Sequence, residues 1–427
     1  MARAFARLTA LVAALGAFSS AFGQTAPPTT PPATSTELTA ETKAAILKGI
    51  EETVLNRAFV PGVDFTKWTE FVTKRQAEID EAKSDAAFGR VVNQALRDFG
   101  FSHIRLANPR STAARGQTSS VGTGAAVVPH EEGLRVNRVT ERGPAAELGL
   151  AVGDIITKID GKKPESANEL DGEEGAKKKV EVKKASGEVK ELELEIKKFS
   201  TVRLETLTWL DAETAVLRVH TFSAGYGREN LDKLVGEAAK AKNLVLDLRS
   251  NGGGAVNNLN HLLSLLLPDG TTIGTFVNKR MANEYLEKNP EGSMDPIAIA
   301  AWTERKSKTR ERTVKPFAGK IAVLINRGSA SASEICAAAL KENVGAVLVG
   351  SRTAGAVLAS TYARLPEGWS LQFPVSDFVT GKGMRLESNP LQPDIEETGR
   401  PGEDGVDPVV QAAVKSLQSA TKIDKAA

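Results

Sequence analysis

The pattern of apolar and polar positions divides the chain into three parts with different predicted secondary structure. From 37 to about 100, apolar residues recur at helical spacing, which predicts two or three helices that end at Gly100. Between 121 and 198, short apolar stretches separated by glycine turns predict a compact unit of strands. From 201 to 400, strand-like and helix-like stretches alternate, which predicts an α/β core.

The last part contains the most regular pattern. Strands are predicted at 214–222, 243–248 and 321–325, and helices at 230–241, at 256–267 and from Glu334 onward. Residues 268–316 are charged and have no clear period. We expect them to be an irregular insertion that shapes a substrate cleft.

The first 37 residues have the pattern of an export signal followed by a linker. Arg3 and Arg7 precede an apolar run at 8–22, and Ala21-Phe22-Gly23 resembles a small-x-small cleavage site. The proline- and threonine-rich stretch that follows is typical of a linker, although the apolar run could also be a buried helix. No other stretch has the ~20 apolar residues of a membrane span. We therefore expect an exported protein, periplasmic or extracellular, with no integral membrane segment in the mature chain.

Composition excludes several classes of function. The 427 residues are 41% hydrophobic and 25% charged with a net charge of +2, so nucleic acid is not an expected partner. Cys336 is the only cysteine, which excludes an internal disulfide and a cysteine-based zinc site. The four histidines have no ligand spacing, so neither a metal nor a cofactor is expected. Cys336 lies within a helical pattern and is expected to be a packed residue.

Ser331 lies where the predicted strand 321–325 gives way to a helix. Such a turn can present a hydroxyl beside the free N–H groups of a helix N-terminus, an arrangement that suits acyl transfer. Ser331-Ala-Ser-Glu334 also fits a capping box, in which the serine only ends the helix. The local pattern leaves both interpretations open.

Two other segments combine turn signals with polar chemistry. The strand 243–248 leads into Arg249-Ser-Asn-Gly-Gly-Gly254, where glycines would let the backbone approach a ligand or would form a flexible turn. Ser102 and His103 follow the predicted helix end at Gly100. A lone histidine there is compatible with a surface or core role as well as with a general base.

The run GPAAELGLAVGDIITKIDGK, Gly143 to Lys162, resembles a PDZ domain closely. In PDZ domains a glycine turn binds the terminal carboxylate of a peptide, and the peptide adds as an extra strand. The resemblance implies that polypeptides with apolar C-termini are the partners, and that Gly122, Thr123, Gly124 and Ala125 form the peptide-binding turn.

The motifs DLRSNGGG (247–254) and SASASEICAAALKENVGAVLVG (329–350), together with the PDZ-like unit, resemble the carboxy-terminal processing, or tail-specific, serine proteases. The resemblance implies an α/β fold with a crotonase/ClpP-like protease core, an inserted PDZ domain and an N-terminal helical segment. It implies Ser331 as nucleophile. Backbone N–H groups of Gly252, Gly253 and Ala332 would form the oxyanion hole.

One departure from this family affects the mechanism. Where processing proteases carry a lysine base in a T-x-G-K-G segment, this chain has Thr353-Ala-Gly-Ala-Val357, with Ala356 at the lysine position. The related tricorn-type proteases use serine and histidine ahead of the PDZ unit and a glutamate late in the core. The counterparts here are Ser102, His103 and Glu387, the last in a segment that differs from the tricorn-type pattern at Ser388, Pro390 and Leu391.

The sequence therefore predicts an exported serine endopeptidase that cleaves unfolded or C-terminally presented polypeptides, and it leaves homo-oligomerisation open. The predicted division is a signal peptide at 1–23, a linker at 24–37, a helical segment at 38–107, a PDZ domain at 108–200, a protease core at 201–400 and a C-terminal helix or tail at 401–427. Two alternatives remain: an inactive pseudoprotease acting as a peptide-binding adaptor, and a retinoid-binding-type relative that binds apolar small molecules.

Overall fold

The computed structural model of the chain describes residues 38–402 and 405–423. The predicted signal peptide at 1–23 and the linker at 24–37 lie outside these residues. None of the helices in the two described ranges is both long and apolar enough to cross a membrane.

The N-terminal segment is helical and packs on an aromatic cluster. Its elements are α1 (Ala40–Arg57), α2 (Trp68–Thr73), α3 (Gln76–Glu81), α4 (Asp85–Arg97), β1 (Arg105–Ala107) and α5 (Pro109–Ala113). The side chains of Thr39 and Ser84 cap α1 and α4. Phe99 and Phe101 lie 5.6 Å apart by ring centroids, and Phe65 contacts both rings. These contacts fix the chain just ahead of Ser102 and His103.

The second unit is built mainly of antiparallel strands around its own apolar core. Its elements are β2 (Ser119–Gly122), β3 (Ala125–His130), β4 (Gly133–Val139), α6 (Pro144–Glu147), β5 (Ile155–Ile159), β6 (Lys177–Lys183), β7 (Val189–Glu195) and β8 (Lys197–Ser200). Strands β3 to β7 form one sheet in chain order, and β2 pairs with β8. Leu134, Ile156 and Val180 are among the buried residues of this core.

The third part is the α/β core. It contains β9 (Thr206–Trp209), β10 (Thr214–Arg218), α7 (Arg228–Ala238), β11 (Asn243–Asp247), α8 (Val256–Leu266), β12 (Thr272–Asn278), α9 (Lys279–Lys288), α10 (Pro296–Trp302), β13 (Ser307–Lys308), β14 (Lys320–Ile325), α11 (Ala332–Val344), β15 (Val347–Gly350), β16 (Ala359–Arg364), β17 (Ser370–Thr380), β18 (Ile395–Glu396) and α12 (Pro408–Ile423). One sheet has the order β18-β15-β14-β11-β10-β9. Its strands pair in parallel except at β9.

The second sheet of the core is organised around the long strand β17. In the second sheet β17 pairs with β1, with β12 and, at residues 370–376, with β16. Pairing with β1 attaches the N-terminal segment to the core directly after His103. In the six-stranded sheet, β11 and β14 are adjacent and parallel, so their carboxyl ends meet at one edge. Ser331 and the glycine turn both follow that edge.

The predicted and observed elements differ in four main places. The segment predicted to hold two or three helices ahead of Gly100 has four, α1 to α4. The helix predicted from Glu334 begins at Ala332, and the strand predicted over 214–222 ends at Arg218. The segment predicted to be irregular, 268–316, contains two strands and two helices. Helix α9 was missed because only Met281 and Ala282 of its ten residues are buried, too few to produce an apolar period.

Candidate active site

Ser331 has a backbone conformation unlike that of an ordinary helix-capping residue. Its φ is 57° and its ψ is −118°, whereas an N-cap serine is typically extended. Non-glycine residues with positive φ are uncommon and strained, and such residues cluster at functional sites. The turn therefore favours the interpretation of Ser331 as a presented hydroxyl over that of a simple cap.

The three serines of the SASAS run have different surroundings. Ser329 and Ser333 are fully buried, and their hydroxyls donate to the carbonyl oxygens of Leu248 and Asn251 at 2.8 Å. Both carbonyls belong to the segment that follows β11. Ser331, between them, lines a cavity of about 400 Å³. The outer serines thus fix the two family motifs against each other and leave the middle one facing the cavity.

Glu334 connects the Ser331 turn to the segment 353–357. Its carboxylate is fully buried and accepts from the N–H of Ser331 at 3.1 Å. It also accepts from the N–H groups of Gly355 and Ala356, at 2.8 and 3.0 Å, and from the hydroxyl of Thr353 at 2.5 Å. The carbonyl oxygen of Ala356 accepts from the Ser331 N–H at 2.9 Å. The segment 353–357, which has Ala356 at the expected lysine position, therefore supports the backbone of Ser331.

Ser102, His103 and Glu387 form a continuous chain of hydrogen bonds. The Ser102 N–H donates to Glu387 Oε1 at 2.7 Å, and the Ser102 hydroxyl donates to Glu387 Oε2 at 2.9 Å. Ser102 Oγ lies 2.6 Å from His103 Nδ1. The structure thus brings together three residues from two segments that are 285 positions apart in sequence.

This chain of contacts selects one tautomer of the His103 ring. An ionised carboxylate only accepts hydrogen bonds, so the single hydroxyl hydrogen of Ser102 is directed to Glu387. The contact between Ser102 Oγ and His103 Nδ1 then requires the hydrogen on Nδ1. The other ring nitrogen, Nε2, is left with a lone pair that can accept a proton.

Burial also keeps the His103 ring neutral. Desolvation lowers the pKa of His103 from its usual 6.5, and the charge of Glu387 opposes this shift only in part. Glu387 is 2% exposed, and its Oε2 accepts a further hydrogen bond from the Val357 N–H at 2.7 Å. His103 lines the same cavity as Ser331. Burial therefore favours the neutral form of the ring, which lies at the edge of this cavity.

The glycine turn after β11 lies against the Ser331 turn. Of the predicted oxyanion donors, Gly252 and Ala332 line the cavity. The N–H of Gly253, by contrast, donates to Asn251 Oδ1 at 3.0 Å. The Gly253 N–H thus already has a hydrogen-bond partner, whereas Gly252 and Ala332 line the cavity.

Gly253 has a different role, because the backbones of the two turns meet there. A Cβ atom at this position would lie 2.7 Å from the Ala330 carbonyl oxygen and 2.7 Å from Ser331 Cβ, and its φ is +89°. A Cβ atom at Gly252 would meet nothing within 4 Å.

We expect Gly253→Ala to lower the free energy of unfolding by about 1–3 kcal/mol, through strain and overpacking. Gly252→Ala, the matched control, should change it by less than about 1 kcal/mol. Urea denaturation of the two variants measures the difference. Equal stabilities would contradict the close packing of the two turns.

One part of the cavity wall is apolar. Leu259 from α8, Ile335 from α11 and Val357 are buried there, and Phe276 from β12 also lines the cavity. Phe276 belongs to the segment 268–316, which was expected to shape a cleft. The wall is suited to an apolar side chain near Ser331.

Sequence reasoning missed two residues that organise the site. Asn251 holds the glycine turn through its side chain, which donates to the Val219 carbonyl at 2.9 Å and accepts from Gly253. The sequence pattern around Glu334 predicts only a capping box. The signal that could have identified Glu334 is the apolar run at 335–340 that directly follows it, because a carboxylate beside a buried run needs buried partners.

The predicted peptide-binding turn lies between β2 and β3, away from this cavity. The carbonyl oxygens of Thr123 and Gly124 accept from the N–H groups of Ala145 and Thr140. A Cβ atom at Gly124 would lie 2.8 Å from Gly143 Cα, so a glycine is needed there. Gly122 and Ala125 end and begin the two strands, and β3 is an edge strand of its sheet.

Comparison with known proteins identifies two matching families. Residues 213–397 match the model of peptidase family S41, and residues 135–184 match a PDZ domain. Carboxy-terminal processing protease CtpA of Bacillus subtilis is 27% identical over 325 residues, covering 74% of this chain and 64% of that protein. The carboxyl-terminal-processing protease of Synechocystis sp. is 28% identical and covers 65% of this chain and 62% of that protein.

Among solved structures, that of the tricorn protease shares the fold with a TM-score of 0.55 at 17% identity, over 90% of this chain and 37% of that one. The chain spans 52% to 64% of the length of the curated relatives it matches first. The family matches agree with the order of the PDZ-like unit and the α/β core along the chain. Residues 213–397 therefore form a domain that matches peptidase family S41, and residues 135–184 ahead of it match a PDZ domain.

Proposed function

We propose that this chain is a serine endopeptidase in which Ser331 is the nucleophile and His103 is the general base. The observation that carries the proposal is the hydrogen-bonded chain from Glu387 through Ser102 to His103, which ends at the cavity lined by Ser331. A serine hydroxyl needs such a base near neutral pH. Ala356 supplies no amine, so the base comes from His103.

In the first step, Ser331 Oγ attacks the carbonyl carbon of the scissile peptide bond and His103 Nε2 accepts the hydroxyl proton. The oxyanion that forms is stabilised by the N–H groups of Gly252 and Ala332. His103 then donates its proton to the leaving amine as the C–N bond breaks. The products of this step are a free amine and an ester on Ser331.

In the second step, a water molecule attacks the ester carbonyl carbon while His103 Nε2 accepts a proton from that water. Collapse of the second oxyanion breaks the bond to Ser331 Oγ, which recovers its proton from His103. Ser102 and Glu387 touch neither substrate nor nucleophile. They hold the Nδ1–H tautomer and stabilise the imidazolium in both steps, so they are positioning residues.

The substrate class proposed is unfolded or flexible polypeptide with an apolar C-terminus. The PDZ domain supports this class, because such domains bind peptide termini through a glycine turn and an edge strand. The turn proposed for this role is Gly122 to Ala125. The apolar wall of the cavity suits a peptide side chain.

Labelling with a fluorophosphonate tests the proposal directly. The reagent should form an adduct that mass spectrometry maps to Ser331, and Ser331→Ala should abolish it. Ser331→Ala should also abolish cleavage of an unfolded protein. A folded, unlabelled native chain at every pH tested would instead favour the second candidate, a pseudoprotease that binds peptides, for which Ala356 at the lysine position is the supporting observation.

The lowered pKa of His103 sets the expected pH dependence. His103 accepts a proton only when neutral, so activity is present above its pKa and is lost as the pH falls through it. Because burial lowers this pKa below 6.5, kcat/KM should still exceed half of its plateau at pH 6.5. A pH profile of kcat/KM measures the acid limb. A limb centred above pH 6.5 would contradict the assignment.

We also propose that the chain is exported, from the charge and apolar pattern of residues 1–23. Fractionation of cells that express the full chain tests this, with N-terminal sequencing of the product. An intact Met1 in the cytoplasmic fraction alone would exclude export.

A further inference from the structure

Strand β16 forms one wall of the cavity and, within residues 38–402 and 405–423, is paired on one side only. Its partner is β17, which lies between β16 and the strands β1 and β12. Ala359, Ser360 and Tyr362 of β16 line the cavity together with Ser331. An edge strand presents unpaired backbone N–H and C=O groups, which are a template for another strand.

The pairing register of β16 with β17 determines which N–H and C=O groups of β16 point away from β17. In the hairpin that joins β16 to β17, the Leu365 N–H donates to the Trp369 carbonyl at 2.9 Å. In an antiparallel pair, every second residue of a strand exchanges hydrogen bonds with the facing strand, and the residues between point their N–H and C=O groups away from it. The pair at Leu365 therefore implies inward bonding at Ala363 and Thr361, and outward-facing amides at Ser360, Tyr362 and Arg364.

The residue opposite Ser360 supports this assignment independently. It is Pro374, which has no N–H to donate. The Pro374 carbonyl accepts from the Phe59 N–H at 3.0 Å, on the side of β17 away from β16. Ser360 and Pro374 therefore do not bond to each other, and the Ser360 N–H and C=O point to the free edge.

Side-chain contacts hold this edge in place. The Arg115 guanidinium lies 3.6 Å from the centre of the Tyr362 ring, and the Gln372 amide donates to the Ser360 hydroxyl at 2.8 Å. Tyr362 is 45% exposed even so. The edge is thus an ordered surface with unpaired amides and is not a frayed end.

The edge is also close to the nucleophile. The Ala356 carbonyl accepts from the Ser331 N–H, and Ser360 follows Ala356 by four positions. Four residues span at most about 14 Å. A peptide strand on this edge would place one of its carbonyl groups within reach of Ser331.

We propose that the polypeptide substrate binds to the outer edge of β16 as an added strand, through the main-chain groups of Ser360 and Tyr362. The inference rests on the proposed function, since it identifies how the substrate reaches Ser331. Recognition through amides selects extended, unfolded chains with little regard to sequence, because helices and paired strands have no free amides. The apolar pocket near Ser331 then accepts one side chain.

An ester scan of a bound peptide tests the inference. The probe is the tightest binder among overlapping peptides of carboxymethylated lysozyme, measured by fluorescence anisotropy on the full chain carrying Ser331→Ala. The peptides are C-terminally amidated, which removes the carboxylate that the PDZ turn would bind. Replacing one amide by an ester removes one donor. We expect Kd to rise about three- to tenfold at alternate positions and to change little at those between.

A pair of variants tests whether the peptide binds at the outer edge of β16. In the Ser331→Ala background, Ser360→Pro removes the outward N–H at a position where an edge strand tolerates proline, while Ser360→Ala removes only the hydroxyl. We expect Ser360→Pro to weaken binding about threefold or more beyond Ser360→Ala. Circular dichroism melts verify that both variants fold.

The outcomes separate this inference from the proposed function. An alternating ester pattern that Ser360→Pro weakens supports strand addition at β16, whether or not the native chain cleaves peptides. A flat ester pattern, or one that Ser360→Pro leaves unchanged, overturns it. Loss of fluorophosphonate labelling at Ser331 bears on the proposed function alone, because that small reagent needs no strand.

Discussion

Replacing His103 by alanine should reduce kcat/KM by about 10³- to 10⁴-fold, with little change in the stability of the fold. The expected size follows from general-base catalysis, to which a positioned histidine contributes about 10²–10⁴-fold, and from the poor nucleophilicity of a serine hydroxyl with no base. The loss should appear mainly in kcat, because the ring is not needed to hold the ground-state substrate.

Measurements on an unfolded protein substrate and fluorophosphonate labelling should give parallel losses. His130→Ala is the matched control, since His130 lies at the end of β3 and does not line the cavity. Its labelling rate should stay within about twofold of native. If His103→Ala kept native labelling at Ser331, another residue would be the base, and the assignment would be wrong.

The sequence pattern predicted the secondary structure around Ser331, but it did not predict the long-range hydrogen bonds of Glu334. An apolar strand followed by S-x-x-E placed the serine at a strand-to-helix turn, which the structure has. The same motif suggested a local cap, but the Glu334 carboxylate also bonds to Thr353, Gly355 and Ala356. Local spacing cannot indicate a partner that is about twenty positions away.

The strand predicted over 214–222 illustrates the same limit. Its alternation of apolar and polar residues continues past Arg218, yet residues 219–222 leave the sheet. The Phe222 N–H donates to the Gly253 carbonyl at 2.9 Å, so this stretch pairs with the glycine turn beside Ser331. Alternation reports that side chains point in opposite directions, and it does not identify the partner of the backbone.

Glu387 is the candidate residue that the local pattern supported least. The expectation that it meets Ser102 came from family resemblance, despite the differences at Ser388, Pro390 and Leu391. In the structure, both oxygens of the Glu387 carboxylate accept hydrogen bonds from Ser102. The replaced residues lie beside the contact: the Ser388 N–H donates to the Gly355 carbonyl, and the Leu391 N–H donates to Thr353. Backbone groups make these bonds, so they do not depend on the side chains that differ.

Replacing Glu387 by glutamine should reduce kcat/KM by about 10³- to 10⁴-fold, although the two side chains have nearly the same shape. Glu387 accepts from the Ser102 N–H, the Ser102 hydroxyl and the Val357 N–H. A glutamine has one oxygen to accept with, and its NH₂ group must face one of these donors. If the NH₂ group donates to Ser102 Oγ, the Ser102 hydrogen turns toward His103 Nδ1, and the ring then carries its hydrogen on Nε2.

In that tautomer His103 cannot accept the proton of Ser331, and loss of the correct tautomer is worth about 10⁴ in the Ser-His-Asp proteases. The remaining activity carries a second signature. Because the charge of Glu387 raises the pKa of His103, its removal should move the acid limb of kcat/KM to lower pH.

Asp377→Asn is the matched control. Asp377 is also buried but pairs with Arg385, so this substitution should lower the stability of the fold while kcat/KM changes by less than about tenfold. Native kcat/KM in Glu387→Gln, or an acid limb displaced to higher pH, would mean that Glu387 does not act on the His103 ring. Neither result is compatible with a carboxylate that orients the ring and raises its pKa.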